Sequence, residues 1–267
     1  MGCMTRIFGL GKTSAAALAI ACFCACARQG AADGDLFRVA AVNCGAFLYG
    51  ADRATPEEFA SEWKRFAHEG KYDIIFYSDV GKGSPGNFSV EGFDIRAASA
   101  RRPVSVSQVH LPQSIETPDG CGKTGRFRAL RMVYDIGGRK LAAYGVHLVA
   151  EGHIKVPRVP GRPSLSQQLR RRQFEALLAD ARRFDLAVLA GDFNAQKPWE
   201  YDVFSKAGYS VGNCSAEFGT TATLRNIPAD NVVVSPGLAL AGFDVLKNYT
   251  LDTDHFPVAA TVRLPPK

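Results

Sequence analysis

The 267-residue sequence has no apolar segment long enough to cross a bilayer, no complete disulfide framework, no extreme charge and no internal repeat. Each absence excludes something. A membrane-spanning helix needs about 20 apolar residues, and the apolar run Ala15 to Ala25 stops well short of that. Beyond the N-terminal region only Cys44, Cys121 and Cys214 remain. An odd number of cysteines rules out a fold stapled entirely by disulfides; a Cys121–Cys214 bridge stays open, and Cys44 reads as a small buried thiol. The formal net charge is +6; without Arg6 and Lys12, 30 basic against 26 acidic residues leave +4. Such a mild excess does not identify a partner. With no low-complexity segment and no second linker, residues 36–267 read as one large domain.

Two look-alikes also fail. Gly11-Lys12-Thr13 resembles the end of a phosphate-binding loop, but the glycine required five positions earlier is Arg6. Met1-Gly2 suggests N-myristoylation, but Arg6 stands where Ser or Thr is needed.

What is present begins with an export signal. Arg6 and Lys12 precede the short apolar run, and small residues follow it, so residues 1–27 read as a signal peptide or lipoprotein signal. Ala25 and Ala27 form an ordinary cleavage site, whereas Cys22 or Cys26, each after an alanine, fits lipidation. The lipoprotein reading is preferred, because three cysteines crowd the end of the apolar run. Residues 28–35 read as a tether. The expectation is a periplasmic or cell-surface lipoprotein touching the membrane only through its lipid anchor, with free secretion as the alternative.

Beyond the tether, strands and helices alternate. Strand patterns cover Phe37–Val42, Asp73–Val80, Gly92–Ala97, Val104–Val109, Arg128–Ile136, Lys140–Leu148, Asn231–Ser235, Leu238–Leu246 and Phe256–Leu264. Gly137-Gly138 joins two of them as a hairpin. Thr55-Pro56-Glu57-Glu58 opens a helix with Phe59, Trp63 and Phe66 on one face. A second helix spans Ser164–Arg183, with Leu169, Phe174, Leu177 and Leu178 inward and Arg170, Arg171 and Arg172 on a solvated face. A short helix is expected over Pro198–Lys206.

The most informative stretch is Gly191-Asp192-Phe193-Asn194-Ala195. The preceding Leu186-Ala187-Val188-Leu189-Ala190 is apolar without alternation, as a strand covered on both faces should be. If extended backbone continues, Asp192 and Asn194 point the same way. A carboxylate can orient a metal-bound water and a carboxamide can bind a phosphoryl oxygen, while the bland reading is an Asx turn. Other polar residues flank apolar strands in the same way: Asn43, Asp79, His147, Asp230 and the pair Asp254-His255. Strand ends are where side chains from distant positions converge on one site.

These segments together resemble the endonuclease/exonuclease/phosphatase superfamily, which shares the fold of pancreatic deoxyribonuclease. The matching stretches are Val-Asn-Cys-Gly at 42–45, Asp-Ile-Ile-Phe-Tyr-Ser-Asp-Val at 73–80, Gly-Val-His-Leu at 145–148, Gly-Asp-Phe-Asn-Ala at 191–195, Pro-Ala-Asp-Asn-Val at 228–232 and Thr-Asp-His-Phe-Pro-Val at 253–258. The resemblance implies an α/β fold, a four-layer α/β/β/α sandwich of two packed mixed β-sheets with outer helices, and a site at one end of the sheets. It also implies a divalent cation, usually magnesium with manganese or calcium as alternatives, and in-line attack of water on a phosphoester. Under it, Asp79 would bind the metal with Asn43 nearby. His255 would be the general base oriented by Asp254, and Asp192 would orient the attacking water. Asn194 and His147 would hold phosphoryl oxygens, and Asp230 would support the second histidine or a second metal position. Arg128 resembles a phosphate-contacting arginine. One departure stands out: the family's metal-binding Glu, in a Gln-Glu pair, is here Ser78-Asp79, one methylene shorter. The expected protein is a monomeric phosphodiesterase, nuclease-like, with nucleic acid as a candidate substrate. A phosphatase or sphingomyelinase-like activity on a phosphorylated lipid or inositol phosphate, and a binding module of the same fold, are the alternatives.

Overall fold

In a computed structural model of the chain, the described residues are 35–45, 56–80, 86–89, 95–117, 120–123, 127–154, 160–214, 221–222, 227–249 and 253–266, with the side chains of 56–60, 63, 117 and 120–123 excepted. The export signal, most of the tether and Thr55 lie outside them, as do the side chains of Phe59, Trp63 and Cys121.

The elements in chain order are β1 (Leu36–Asn43), α1 (Pro56–Gly70), β2 (Ile74–Ser78), β3 (Phe88–Ser89), β4 (Arg96–Ser99), β5 (Ser105–His110), β6 (Ser114–Thr117), β7 (Gly120–Lys123), β8 (Arg128–Ile136), β9 (Arg139–His147), α2 (Leu165–Ala181) and β10 (Leu186–Asp192). A 3-10 turn at Pro198–Tyr201 then leads into α3 (Asp202–Ser205), followed by β11 (Ser210–Val211), β12 (Asp230–Val234), β13 (Ala239–Val245) and β14 (Val258–Arg263). One sheet has the order β13-β14-β1-β2-β4-β3 and the second β11-β12-β10-β9-β8-β5. Both are mixed: β1 runs parallel to β2 and β9 parallel to β10, and their other ladders are antiparallel.

Period-two alternation sorts the side chains into layers. Between the sheets lie Phe37, Val39 and Ala41 of β1 with Ile74 and Phe76 of β2, facing Leu141 and Ala143 of β9, Val188 and Ala190 of β10 and Val232 and Val234 of β12. The opposite face of the first sheet, Ala40, Val42, Ile75 and Tyr77, packs on Phe66 of α1. The opposite face of the second, Ala142, Tyr144, Ala187 and Leu189, packs on Phe174, Leu177, Leu178 and Ala181 of α2 and on Phe204 of α3. The order helix, sheet, sheet, helix is the expected four-layer sandwich. β10 reads as continuously apolar because it is covered on both faces.

Two glycines permit close approaches near the strand ends, one across the sandwich and one within the second sheet. A Cβ on Gly145 would meet the Phe76 ring across the sandwich at 2.3 Å. A Cβ on Gly191, whose φ is 144°, would lie 2.1 Å from the Val146 carbonyl oxygen. The β8–β9 hairpin turns at Gly137 and Gly138, both at positive φ (62° and 86°) as a tight two-residue turn requires.

Three expectations are corrected. The strand predicted over Gly92–Ala97 runs Arg96–Ser99, with 92–94 outside the described residues. The short helix over Pro198–Lys206 is a 3-10 turn followed by α3. Arg170 does not face solvent: it is fully buried and bonded to Glu200, because an ion pair inside the α2 packing overrides the charge pattern. The α2 start is as the sequence predicts, with Ser164 and Gln167 forming a capping box.

Candidate active site

The residues facing the gap between the sheets change from apolar to polar at the strand ends. Along β10 the inward positions Val188 and Ala190 are followed by Asp192; along β12, Val234 and Val232 by Asp230; along β1, Val39 and Ala41 by Asn43. Register then lines the ends up. Asp192 is opposite Asp230 on β12 and His147 on β9. Arg128 lies one residue beyond the Ala129–Val146 pair, at the same edge. On the other sheet Asn43 is opposite Ser78.

Asn43 bridges the sheets. Its Nδ2 donates to Asp192 Oδ2 at 2.8 Å, and its Oδ1 accepts from the Gly45 amide at 2.9 Å. Asp192 and Asp230 are each 1% exposed. His147 Nε2 lies 3.7 Å from Asp192 Oδ2. His255 is brought in by the segment before β14. Thr253 Oγ donates to the Asn43 carbonyl (2.9 Å) and accepts from the His255 amide (3.2 Å), while residue 255 forms a β-bridge with Ala222. Thr221 Oγ accepts the Asp230 amide at 2.8 Å. Thus Thr221 and Thr253 set the two partners of one ion pair. Thr253 stands beside a recognised motif; Thr221 carries no local signal.

That ion pair corrects one assignment. His255 Nδ1 is 2.6 Å from Asp230 Oδ2, whereas Asp254 Oδ1 lies 3.9 Å from the other ring nitrogen. The carboxylate that orients His255 is therefore Asp230, 25 residues earlier, not the adjacent Asp254. Burial opposes charge on the His255 ring, but Asp230, then Asp192 and Asp254, outweigh it and push its pKa up to about 10. Burial pushes Asp230 up as well, against the pull of His255. The arrangement that best balances the charges is imidazolium on carboxylate, since three carboxylates surround one ring.

The region after Asp192 is corrected too. Extended backbone ends there: Asn194 has φ 52°, its amide donates to Asp192 Oδ1 at 2.7 Å, and its Nδ2 donates to the Leu148 carbonyl at 2.9 Å. Asp192 therefore makes an Asx turn with one oxygen and faces Asn43 with the other, so the bland and the functional readings hold together. Asn194 packs toward the β9 end rather than parallel to Asp192.

Asp79 follows Ser78 at φ 52°, half-buried, and with burial its charge raises the neighbouring Cys44 thiol. Among the described residues, the ligand atoms that come within 4.8 Å of one another belong to Asp192, Asp230 and His255, a group without Asp79. Asp230 Oδ1 and Ser78 Oγ are buried with no hydrogen-bond partner among the described residues. Two buried carboxylates, one of them with a partnerless oxygen, fit a hard divalent cation. Arg128 Nη1 donates to Gln108 Oε1, and His110 is its register partner on β5.

No protein-family model and no curated protein matches the chain in sequence. Solved structures do match. An endonuclease/exonuclease/phosphatase from Beutenbergia cavernae superposes with TM-score 0.62 at 17% identity, covering 86% of this chain and 72% of that one. D. rerio TDP2 complexed with a single-strand DNA product gives 0.59 at 13%, covering 85% and 99%. A Bacteroides thetaiotaomicron mannosyl-6-phosphatase gives 0.59 at 16%, covering 85% and 99%. The fold is that of the endonuclease/exonuclease/phosphatase superfamily.

Proposed function

We propose that this chain is an exported, divalent-cation-dependent phosphoesterase that hydrolyses phosphodiesters, nuclease-like activity foremost. The observation that carries the reading is the convergence of Asp192, Asp230 and His255, with Asn43 bridging to Asp192, at one end of both sheets. Buried carboxylates repel a phosphate unless positive charge stands between them.

When bound by Asp192 and Asp230, with Asn43 and Asp79 contributing, a cation supplies Lewis acidity to phosphoryl oxygens and positive charge that favours a neutral His255. Magnesium is the first choice, manganese and calcium the alternatives. Asp192 Oδ2 orients the attacking water. His255 takes its proton at Nε2, with Nδ1–H held by Asp230. A His fixed in one tautomer by a carboxylate is a suitable base near neutral pH. His147 and the second Nδ2 proton of Asn194 hold phosphoryl oxygens, and Arg128 extends the basic side of the row.

The fold-mate bound to a DNA product supports the nuclease form. The sugar-phosphatase fold-mate supports a second reading, a phosphatase or sphingomyelinase-like activity on a phosphorylated lipid or inositol phosphate. The Ser78-Asp79 departure supports a third, a binding module without turnover. Cation-dependent hydrolysis of a generic phosphodiester or phosphomonoester by the purified domain separates the first two from the third, and DNA against inositol phosphate and sphingomyelin separates the first from the second. The protein works as a monomer held outside the cell membrane by the lipid on Cys22 or Cys26.

A further inference from the structure

Helix α2 buries the side chains of Arg170 and Gln173, which the scheme above does not use. Both are 0% exposed, and both reach the backbone of one residue, Val149. Gln173 Oε1 accepts from the Val149 amide at 3.1 Å, and Arg170 Nη1 donates to the Val149 carbonyl at 2.7 Å. Val149 stands two residues beyond His147. Between them Leu148 is tied to the neighbouring strand end: its amide donates to the Asp192 carbonyl (3.0 Å) and its carbonyl accepts Asn194 Nδ2 (2.9 Å).

The same guanidinium has a second partner. Arg170 Nε and Nη2 lie 2.8 and 2.7 Å from Glu200 Oε2, while Glu200 Oε1 accepts the amides of Gln196 (2.8 Å) and Lys197 (3.2 Å). Those amides belong to the loop that leaves Asn194. One side chain therefore joins the loop after His147 to the loop after Asn194. Gln173 Nε2 adds the Pro112 carbonyl at 2.9 Å, behind β5.

Adhesion of α2 to its sheet does not require this. Phe174, Leu177 and Leu178 already supply the apolar contact. Taking both charges of Arg170 and Glu200 out of water is costly, and an apolar pair of similar volume often holds such a position equally well or better. What an apolar pair lacks is direction, which the rigid fork of a guanidinium provides.

We propose that Arg170 is a positioning residue which, through Val149 and Glu200, fixes His147 and Asn194 relative to each other at the sheet end. Its consequence for turnover rests on the phosphoesterase reading; the clamp itself does not. The test compares the full chain with an Arg170→Met/Glu200→Leu double variant and with Arg170→Lys. The double variant should stay folded but melt below the wild type, because it leaves the Val149 carbonyl and the Gln196 and Lys197 amides without partners. It should turn over a phosphodiester about tenfold to a hundredfold more slowly, the scale of a misplacement near 1 Å. The same double substitution in a His147→Ala background should cost far less, because the lost contact acts through that residue. Arg170→Lys keeps the charge opposite Glu200 but not the fork, and should stay folded with slowed turnover. Wild-type turnover in a folded variant, or a loss fully additive with His147→Ala, would overturn the proposal. If the wild type hydrolyses no phosphodiester, the phosphoesterase reading fails separately. Hydrogen exchange at the Val149 amide and the Asn194 carboxamide then decides: faster exchange in the double variant supports the clamp, and unchanged exchange refutes it.

Discussion

Asn43 and Asp192 are 149 residues apart in sequence, on different sheets, and 2.8 Å apart in space, with the carboxamide donating to the carboxylate. Asp192 is 1% exposed, so that donor and the Asn194 amide stand in for water around its two oxygens. Asn43→Ala should destabilise the cation-free domain by about 1–3 kcal/mol, the cost of leaving a buried acceptor unmade. Asn43→Asp should cost more in chelator and recover more when cation is added, because it sets two carboxylates together. Denaturant midpoints with and without cation check this; equal losses for both variants in both conditions would contradict it.

The His255–Asp230 pair gives a pH dependence. In cation-free protein His255 has a pKa of about 10, above its ordinary 6.5. A raised folded-state pKa means that the folded protein holds the proton more tightly than the unfolded chain. The stabilisation is full below pH 6.5 and is lost as pH rises from there through about 10. Asp230, also raised, acts in the same direction. Urea midpoints measured in chelator should fall across this window for the wild type and stay flatter for His255→Ala. A wild-type midpoint that rises with pH would refute the pairing.

How much of this was legible in the sequence differs by element. The long strands and α2 were visible because burial sets the hydrophobic period, and β10 because both its faces are covered. β3 and β11 are two residues each, too short to show any period, and β6 and β7, although joined by the turn signal Pro118-Asp119-Gly120, are only four residues each. In the site, strand-end positions could be read because alternation carries the inward face from Val188 and Ala190 to Asp192. Pairing could not: Asp254 is adjacent to His255 in sequence, yet the segment before β14, held by Thr253 and the Ala222 bridge, brings His255 to Asp230. Arg170 failed for the same reason, since its partner Glu200 arrives through tertiary packing.

Asp79 tests the departure from the family pattern. Asp79→Ala should raise the cation concentration needed for activity. Asp79→Glu, which restores the longer carboxylate, should lower it, with binding measured by calorimetry using manganese. Identical affinities in wild type and both variants would remove Asp79 from the cation site.

The N-terminus predicts a processed protein. Mass spectrometry of the mature chain should find a diacylated Cys22 or Cys26 at its start. An unmodified start at Arg28 would replace the anchor with free secretion, and an intact residue 1–27 segment in mature cytosolic protein would refute export.

The most direct measurement is hydrolysis of DNA, RNA, sphingomyelin, inositol phosphates and a generic phosphodiester by purified wild type, Asp192→Asn and His255→Ala, each with magnesium and with chelator. The account predicts magnesium-dependent turnover of at least one phosphodiester by the wild type, abolished by chelator. It predicts a loss of at least about a hundredfold in each folded variant, the scale of a positioned acid–base group. Turnover that survives chelator, or wild-type rates in either variant, would contradict it.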